Sequence, residues 1–237
     1  MSRILVLADS GFGKSTSLGN IPQLNIKGLA PKETLIIQAT KKGLPLPGWR
    51  KNYLDFKADP TKNNYLVSNV ISDIIKTLDY VIKSRPDIKN VVLDDFNYIM
   101  QDYYMKNAKK RGYDTFQTIG YEIGLLFEKI DELHDADKNI IVMAHYEVEV
   151  TGGVIRFKLK TVGKMVDQYL TPEGKFEIVL MGKEVFDDTN NKVEKYFVTG
   201  FDGKYKAKTP YGMFEDLYIP NDMGYVLEKA HEYENAV

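Results

Sequence analysis

Residues 5–16 read LVLADSGFGKST. An apolar run gives way to small residues, two glycines, one lysine and two hydroxyls. Residues 8–15, ADSGFGKS, follow the phosphate-loop pattern G-x-x-x-x-G-K-[ST], with Ala8 in place of the first glycine. Such a loop turns backbone N–H groups inward around the β- and γ-phosphates. That requires glycines that accept positive φ and close approach, here Gly11 and Gly13. Ser10, Gly11, Phe12, Gly13, Lys14, Ser15 and Thr16 are the candidate nucleotide-binding residues. Lys14 is placed to contact the β- and γ-phosphates and Ser15 to offer a hydroxyl to Mg²⁺, with Thr16 secondary. A helix is expected over 14–19, ending before Pro22 and presenting its N-terminus to the anion.

The rest of the chain supplies what such a loop needs. The run 3–8 and the segments TLIIQA (34–39), NVVLDDF (90–96) and KNIIVMAHYE (138–147) read as strands buried on both faces. Between them, Leu66, Val70, Ile74, Leu78 and Val81 predict a helix over 66–82, limited by Pro86. Ile119, Ile123, Leu126, Phe127, Ile130 and Leu133 predict a second over 116–134. NYLDF (52–56) reads as a short strand. This alternation predicts an α/β fold with a mostly parallel sheet and helices on both faces. Later, 147–159 reads as a hairpin around two glycines and 175–201 as further strands turning at 187–191. A terminal helix over 219–234 has Asn221 as its expected N-cap. The whole chain, 1–237, is read as one domain. A nucleotide-binding core (1–147) is followed by a sheet extension with hairpins and a C-terminal helix (148–237).

Composition narrows the classes. The length suits one substantial core, and 43% hydrophobic with 27% charged residues is ordinary for a globular protein. A net charge of −1 leaves nucleic-acid binding to a local patch. With no cysteine, disulfides and thiolate-ligated zinc are excluded. No apolar run approaches the roughly 18 to 20 residues of a spanning helix, so no membrane partner is expected. No signal peptide is evident, and a cytoplasmic protein is the default.

Residues 91–96, VVLDDF, end a buried strand in two acids. Asp94 is the expected Mg²⁺ partner and Asp95 the candidate to orient or polarise the attacking water. His145 ends another buried strand. In P-loop ATPases with an extra strand between the P-loop and acidic strands, that position senses the γ-phosphate, and an imidazole can donate to it. Lys14, Asp95 and His145 are therefore the candidate catalytic residues. Residues 96–116 interleave tyrosines with cations, and RFKLK (156–160) follows the sensor strand. Cations track a phosphate backbone and aromatics stack bases. Tyr103, Lys106, Lys109, Lys110, Arg111, Arg156 and Lys158 are the candidate DNA contacts.

LADSGFGKST, TLIIQATKKGLPLPGW, VVLDDFNYIM, IIVMAHYE and KYKAKTPYGMFEDLYIPND together resemble the phage-type RecA-like P-loop ATPases. These are AAA-domain phage proteins that include single-strand-annealing recombinases. The resemblance spans nearly the whole chain. It implies a RecA-like core, ATP with Mg²⁺, and single-stranded DNA as partner in phage recombination or replication in the host cytosol. It also implies a homo-oligomeric ring or filament in which Lys206 or Lys208 acts on a neighbour's γ-phosphate. One departure stands out. Such enzymes carry a catalytic glutamate after the second strand, where LIIQATK offers Gln38 and Thr40. Two alternatives follow, an ATP-dependent loader or remodeller of a replication or single-strand-binding protein, and a nucleotide-gated interaction module with little hydrolysis.

Overall fold

A computed structural model describes residues 1–107, 114–152, 154–162 and 171–236. Lys109, Lys110 and Arg111 lie outside the described residues.

Four short apolar runs make the heart of the sheet. They are β1 (Arg3–Leu7), β2 (Thr34–Gln38), β4 (Asn90–Asp94) and β5 (Asn139–Ala144), and apart from Arg3 and Asn139 every residue in them is buried. Such runs lack alternation because both of their faces are covered. With β3 (Tyr65–Val67), β8 (Ile178–Asp187), β9 (Lys192–Val198) and β10 (Tyr218–Pro220) they form one eight-stranded sheet. Its order is β10-β9-β8-β1-β5-β4-β2-β3. The six strands from β8 to β3 in this order run parallel, and β9 and β10 add antiparallel at the edge. A hairpin of β6 (Tyr146–Thr151) and β7 (Val154–Leu159) stands apart as a second sheet.

Successive strand residues point to opposite faces, so each strand feeds two cores. On one side Leu5, Leu7, Leu35, Ile37, Val91 and Val142 meet the helices α2 (Ile71–Ser84), α3 (Phe96–Asn107) and α4 (Asp114–Asp135). On the other, Ile4, Val6, Ile36, Val92 and Ile141 meet Leu18, Leu44, Leu46 and the C-terminal helix α5 (Met223–Glu234). The mostly parallel α/β sheet, covered on both faces and extended by antiparallel strands, is the fold class read from the sequence.

Local expectations change in several places. The helix over 14–19 is a single 3-10 turn, Ser15–Leu18, and the chain then extends at Gly19. Leu46 packs 2.4 Å from where a Cβ on Gly19 would sit, so a side chain at this position would displace it. Leu66 and Val67 belong to β3, not to the following helix, because Tyr65, Leu66 and Val67 pair with β2. Ser68 Oγ then accepts from Val70 N, and α2 starts at Ile71. Residues 52–56 form no strand. One turn of helix, α1 (Trp49–Asn52), leads to a lone bridge between Asp55 and Tyr65, with Tyr53 and Phe56 buried. Finally, the terminal helix expected over 219–234 starts only at Met223, because residues 218–220 pair with β9 as β10, and Asp222, not Asn221, caps it, accepting from Gly224 N.

Candidate nucleotide site

In a parallel sheet the strand ends face one crevice, and loops leaving them converge there. Residues 8–15 follow β1, Asp94 ends β4, His145 follows β5 and Gln38 ends β2. In the sheet β5 lies between β1 and β4, so it is an extra strand between the P-loop strand and the acidic one.

The loop is held from three sides. Gly11 and Gly13 have φ of +84° and +100°, which side chains rarely tolerate. The Phe12 side chain is buried 5.9 Å from the Phe197 ring centroid, so of this residue only the backbone is offered to a ligand. Asn221 Nδ2 donates to Gly13 O at 3.2 Å, and Lys195 Nζ to Gly11 O at 2.6 Å. Ala8 is fully buried beside β8, and a Cβ on Gly182 would lie 2.4 Å from its own. The alanine that departs from the loop pattern thus fills the space that Gly182 leaves.

Lys14 is buried, and Nζ donates to Ala8 O (2.8 Å) and Asp9 O (2.9 Å), with His145 Nδ1 at 3.3 Å. Burial lowers its ammonium to about 8 against the pull of Asp94 and Asp95. His145 Nδ1 also lies 3.1 Å from Ala8 O. Burial, and then the charge of Lys14, push the imidazole down, which favours its neutral form. With only one 3-10 turn behind the loop, an anion here depends on loop N–H groups and Lys14. A helix dipole adds little.

Asp94 is fully buried and its proton affinity is raised, first by burial and next by Asp95. Ser15 Oγ donates to Oδ2 at 2.8 Å and Gln38 Nε2 at 3.1 Å. Oδ1 is buried without a partner among the described residues. An orphaned carboxylate oxygen next to a serine hydroxyl fits a hard divalent cation that takes its other ligands from water and phosphate. Asp95 is buried too, in the left-handed region at φ +61°. Its Oδ2 accepts from Thr40 Oγ1 (2.6 Å) and pairs with Lys42 Nζ (2.6 Å).

Gln38, Lys42, Asn97 and Gly182 have no functional role in the sequence reading. Gln38 stands where a glutamate was expected. It faces Asp94 in register, and Tyr65 Oη donates to its Oε1 at 2.6 Å. Asn97 Oδ1 accepts from His145 N, and its Nδ2 donates to the carbonyls of His145 and Lys160. The sheet therefore ends at Ala144, and the expected strand over 138–147 splits into β5 and β6. A lone polar residue after an acidic strand end was the available signal for Asn97. Lys42, in a KKG turn, has the look of any solvated lysine.

The remaining candidates lie elsewhere. Ser10 is exposed and Thr16 half-buried. Tyr103 packs partly against the α2–α3–α4 core, and Lys106 Nζ donates to Asn69 Oδ1. Arg156 is exposed on β7, and Lys158 pairs with Glu147 and Glu149 across the hairpin. Lys206 is exposed. Lys208 is bridged to Val179 through its backbone, and its Nζ donates to Glu173 O.

Among the described residues no helix is long and apolar enough to cross a membrane. No family model matches the chain, and no curated protein is similar to it in sequence. A KaiC-like protein, PH0186, of the hyperthermophilic archaeon Pyrococcus horikoshii OT3 is similar in structure. It has 12% identity and a TM-score of 0.45, over 83% of this chain and 78% of that one.

Proposed function

We propose that this chain is a RecA-like P-loop ATPase that binds Mg²⁺·ATP at the C-terminal ends of β1, β4 and β5. The observation that carries the reading is the meeting of Lys14, Ser15, Asp94 and His145 in one place, with Asp94 Oδ1 left unpaired. Loop N–H groups and Lys14 would hold the phosphates. Ser15 and Asp94 would hold Mg²⁺, which neutralises charge on the β- and γ-oxygens when bound. His145, in its neutral form, would donate to the γ-phosphate. Hydrolysis forms a bond from a water oxygen to the γ-phosphorus and breaks the bond to the β-phosphate oxygen. Asp95 is the carboxylate proposed to orient that water. Its Oδ2 is engaged by Thr40 and Lys42, so turnover should be slow until that pairing loosens.

The output element in this reading is the β6–β7 hairpin. Tyr146 Oη donates to Asp9 of the phosphate loop, and Asn97 ties the base of the hairpin to the end of β4. Single-stranded DNA, in phage recombination or replication, is the partner proposed from the resemblance of the motifs. An ATPase assay with and without single-stranded DNA tests both parts. Magnesium-dependent ATP hydrolysis that rises with DNA supports the whole. Hydrolysis that ignores DNA, with no salt-sensitive DNA binding, removes DNA and leaves a loader of a protein partner. No ATP binding refutes the site itself.

A further inference from the structure

Lys42 sits on a built turn. The strand β2 ends at Gln38, whose Nε2 donates to Gly43 O at 3.4 Å, and Ala39 N donates to Asp94 O at 3.1 Å. Lys42 N closes onto Thr40 O at 3.0 Å, and Gly43, at φ +74°, backs onto the Trp49 ring. Leu44 and Leu46 then bury into the second core. The turn therefore aims Lys42 over the ends of β2 and β4. Its side chain is 51% exposed, whereas its partner Asp95 is 2% exposed. A solvated ammonium thus reaches down onto a buried carboxylate.

The charge of Lys42 is felt throughout the phosphate site. It weakens proton binding at Lys14, Asp94 and His145 alike. The site otherwise joins two buried acids to one buried ammonium. A polyphosphate entering beside Asp94 and Asp95 meets like charge, and an exposed cation at the rim can answer it.

We propose that Lys42 is a second phosphate-binding cation, held on Asp95 when the site is empty and transferred to the terminal phosphate of a bound nucleoside triphosphate. This rests on the nucleotide reading above and adds to it. Lys42 becomes the residue that distinguishes triphosphate from diphosphate. Its departure also frees one acceptor site on Asp95, so recognition of the terminal phosphate and release of the carboxylate are one event. The cation comes from the same chain, so discrimination needs no neighbouring subunit.

The test is calorimetric titration of the full chain with Mg²⁺·ATP and Mg²⁺·ADP. Lys42→Gln should weaken ATP about tenfold and leave ADP within about twofold, since one charge-assisted bond is lost. Lys42→Arg should keep the preference. Asp95→Asn removes the competitor and should tighten ATP about threefold, an effect that vanishes when Lys42→Gln is also present. An unchanged melting temperature for Lys42→Gln separates this role from a structural one. Equal loss of ATP and ADP, or no loss of either, overturns the proposal alone. A wild-type chain that binds neither nucleotide overturns the nucleotide reading and the proposal together.

Discussion

Adding one methyl group at Gly182 should disable the phosphate loop from behind. A Cβ there would lie 2.4 Å from Ala8 Cβ and 2.9 Å from two carbons of the Phe12 ring. Ordinary contact begins near 3.4 Å, so something must move by about 1 Å. Strand β8 cannot retreat easily, because residues 178–181 pair with β1 in register, Met181 opposite Leu7. The Phe12 ring is closed in by Phe197. The loop is what gives, and overpacking of this kind costs about 1–3 kcal/mol of stability. A loop shifted by about 1 Å misplaces its N–H groups and should lower turnover by on the order of a hundredfold. Calorimetric ATP affinity, the melting temperature and ATP turnover together measure this. Ala8→Gly in the same chain removes the 2.4 Å contact but leaves the two to the Phe12 ring, so it should recover part of the loss. Gly182→Ala that binds and turns over ATP like wild type, or a double variant no better than the single one, would refute this account of the loop.

Three other perturbations probe the site directly. Lys14 is pulled to about 8 by burial, so the free site sheds its charge above that pH, and ATP affinity should fall about tenfold from pH 7 to pH 9. For the empty fold the sign is opposite. The folded value lies below the ordinary 10.5, the unfolded chain holds the proton more tightly, and stability should rise from about pH 8 towards 10.5. Lys14→Arg should flatten the binding profile, and a flat wild-type profile by calorimetry argues against a charged Lys14 in binding. Asp94→Asn should abolish the Mg²⁺ dependence of nucleotide affinity while the chain melts no lower than wild type, because a costly buried anion is removed. Gln38→Glu sets a carboxylate against Asp94 and replaces its amide donor. It should destabilise the fold by about 1–3 kcal/mol in denaturant titration, less at low pH, where one acid of the pair is protonated.

The parts of this fold legible in the sequence are those whose signal is carried by consecutive residues. Buried parallel strands announce themselves as unbroken apolar runs, and in each of β1 and β4 the chemistry begins where the run stops. The loop glycines could be read because a positive φ is a demand on one residue alone. Elsewhere the deciding partner is far along the chain. Leu66 and Val67 fit the helical spacing of 66–82, and only pairing with β2 makes them a strand. Gly19, at the end of the short turn after Lys14, lies against Leu46, 27 positions beyond it. Gly182 matters because of Ala8, and Asn97 because of His145 and Lys160. The missing glutamate shows the same limit most sharply. From the sequence, Gln38 is the loss of an acid. In the structure its amide donates to Asp94 and its carbonyl accepts from Tyr65, so a buried carboxylate is held in place without adding a third acid to Asp94 and Asp95. A glutamate at 38 would compete with Asp94 for the same cation. On the proposed reading the glutamine leaves the cation to Asp94 and water activation to Asp95, the other buried carboxylate of the site.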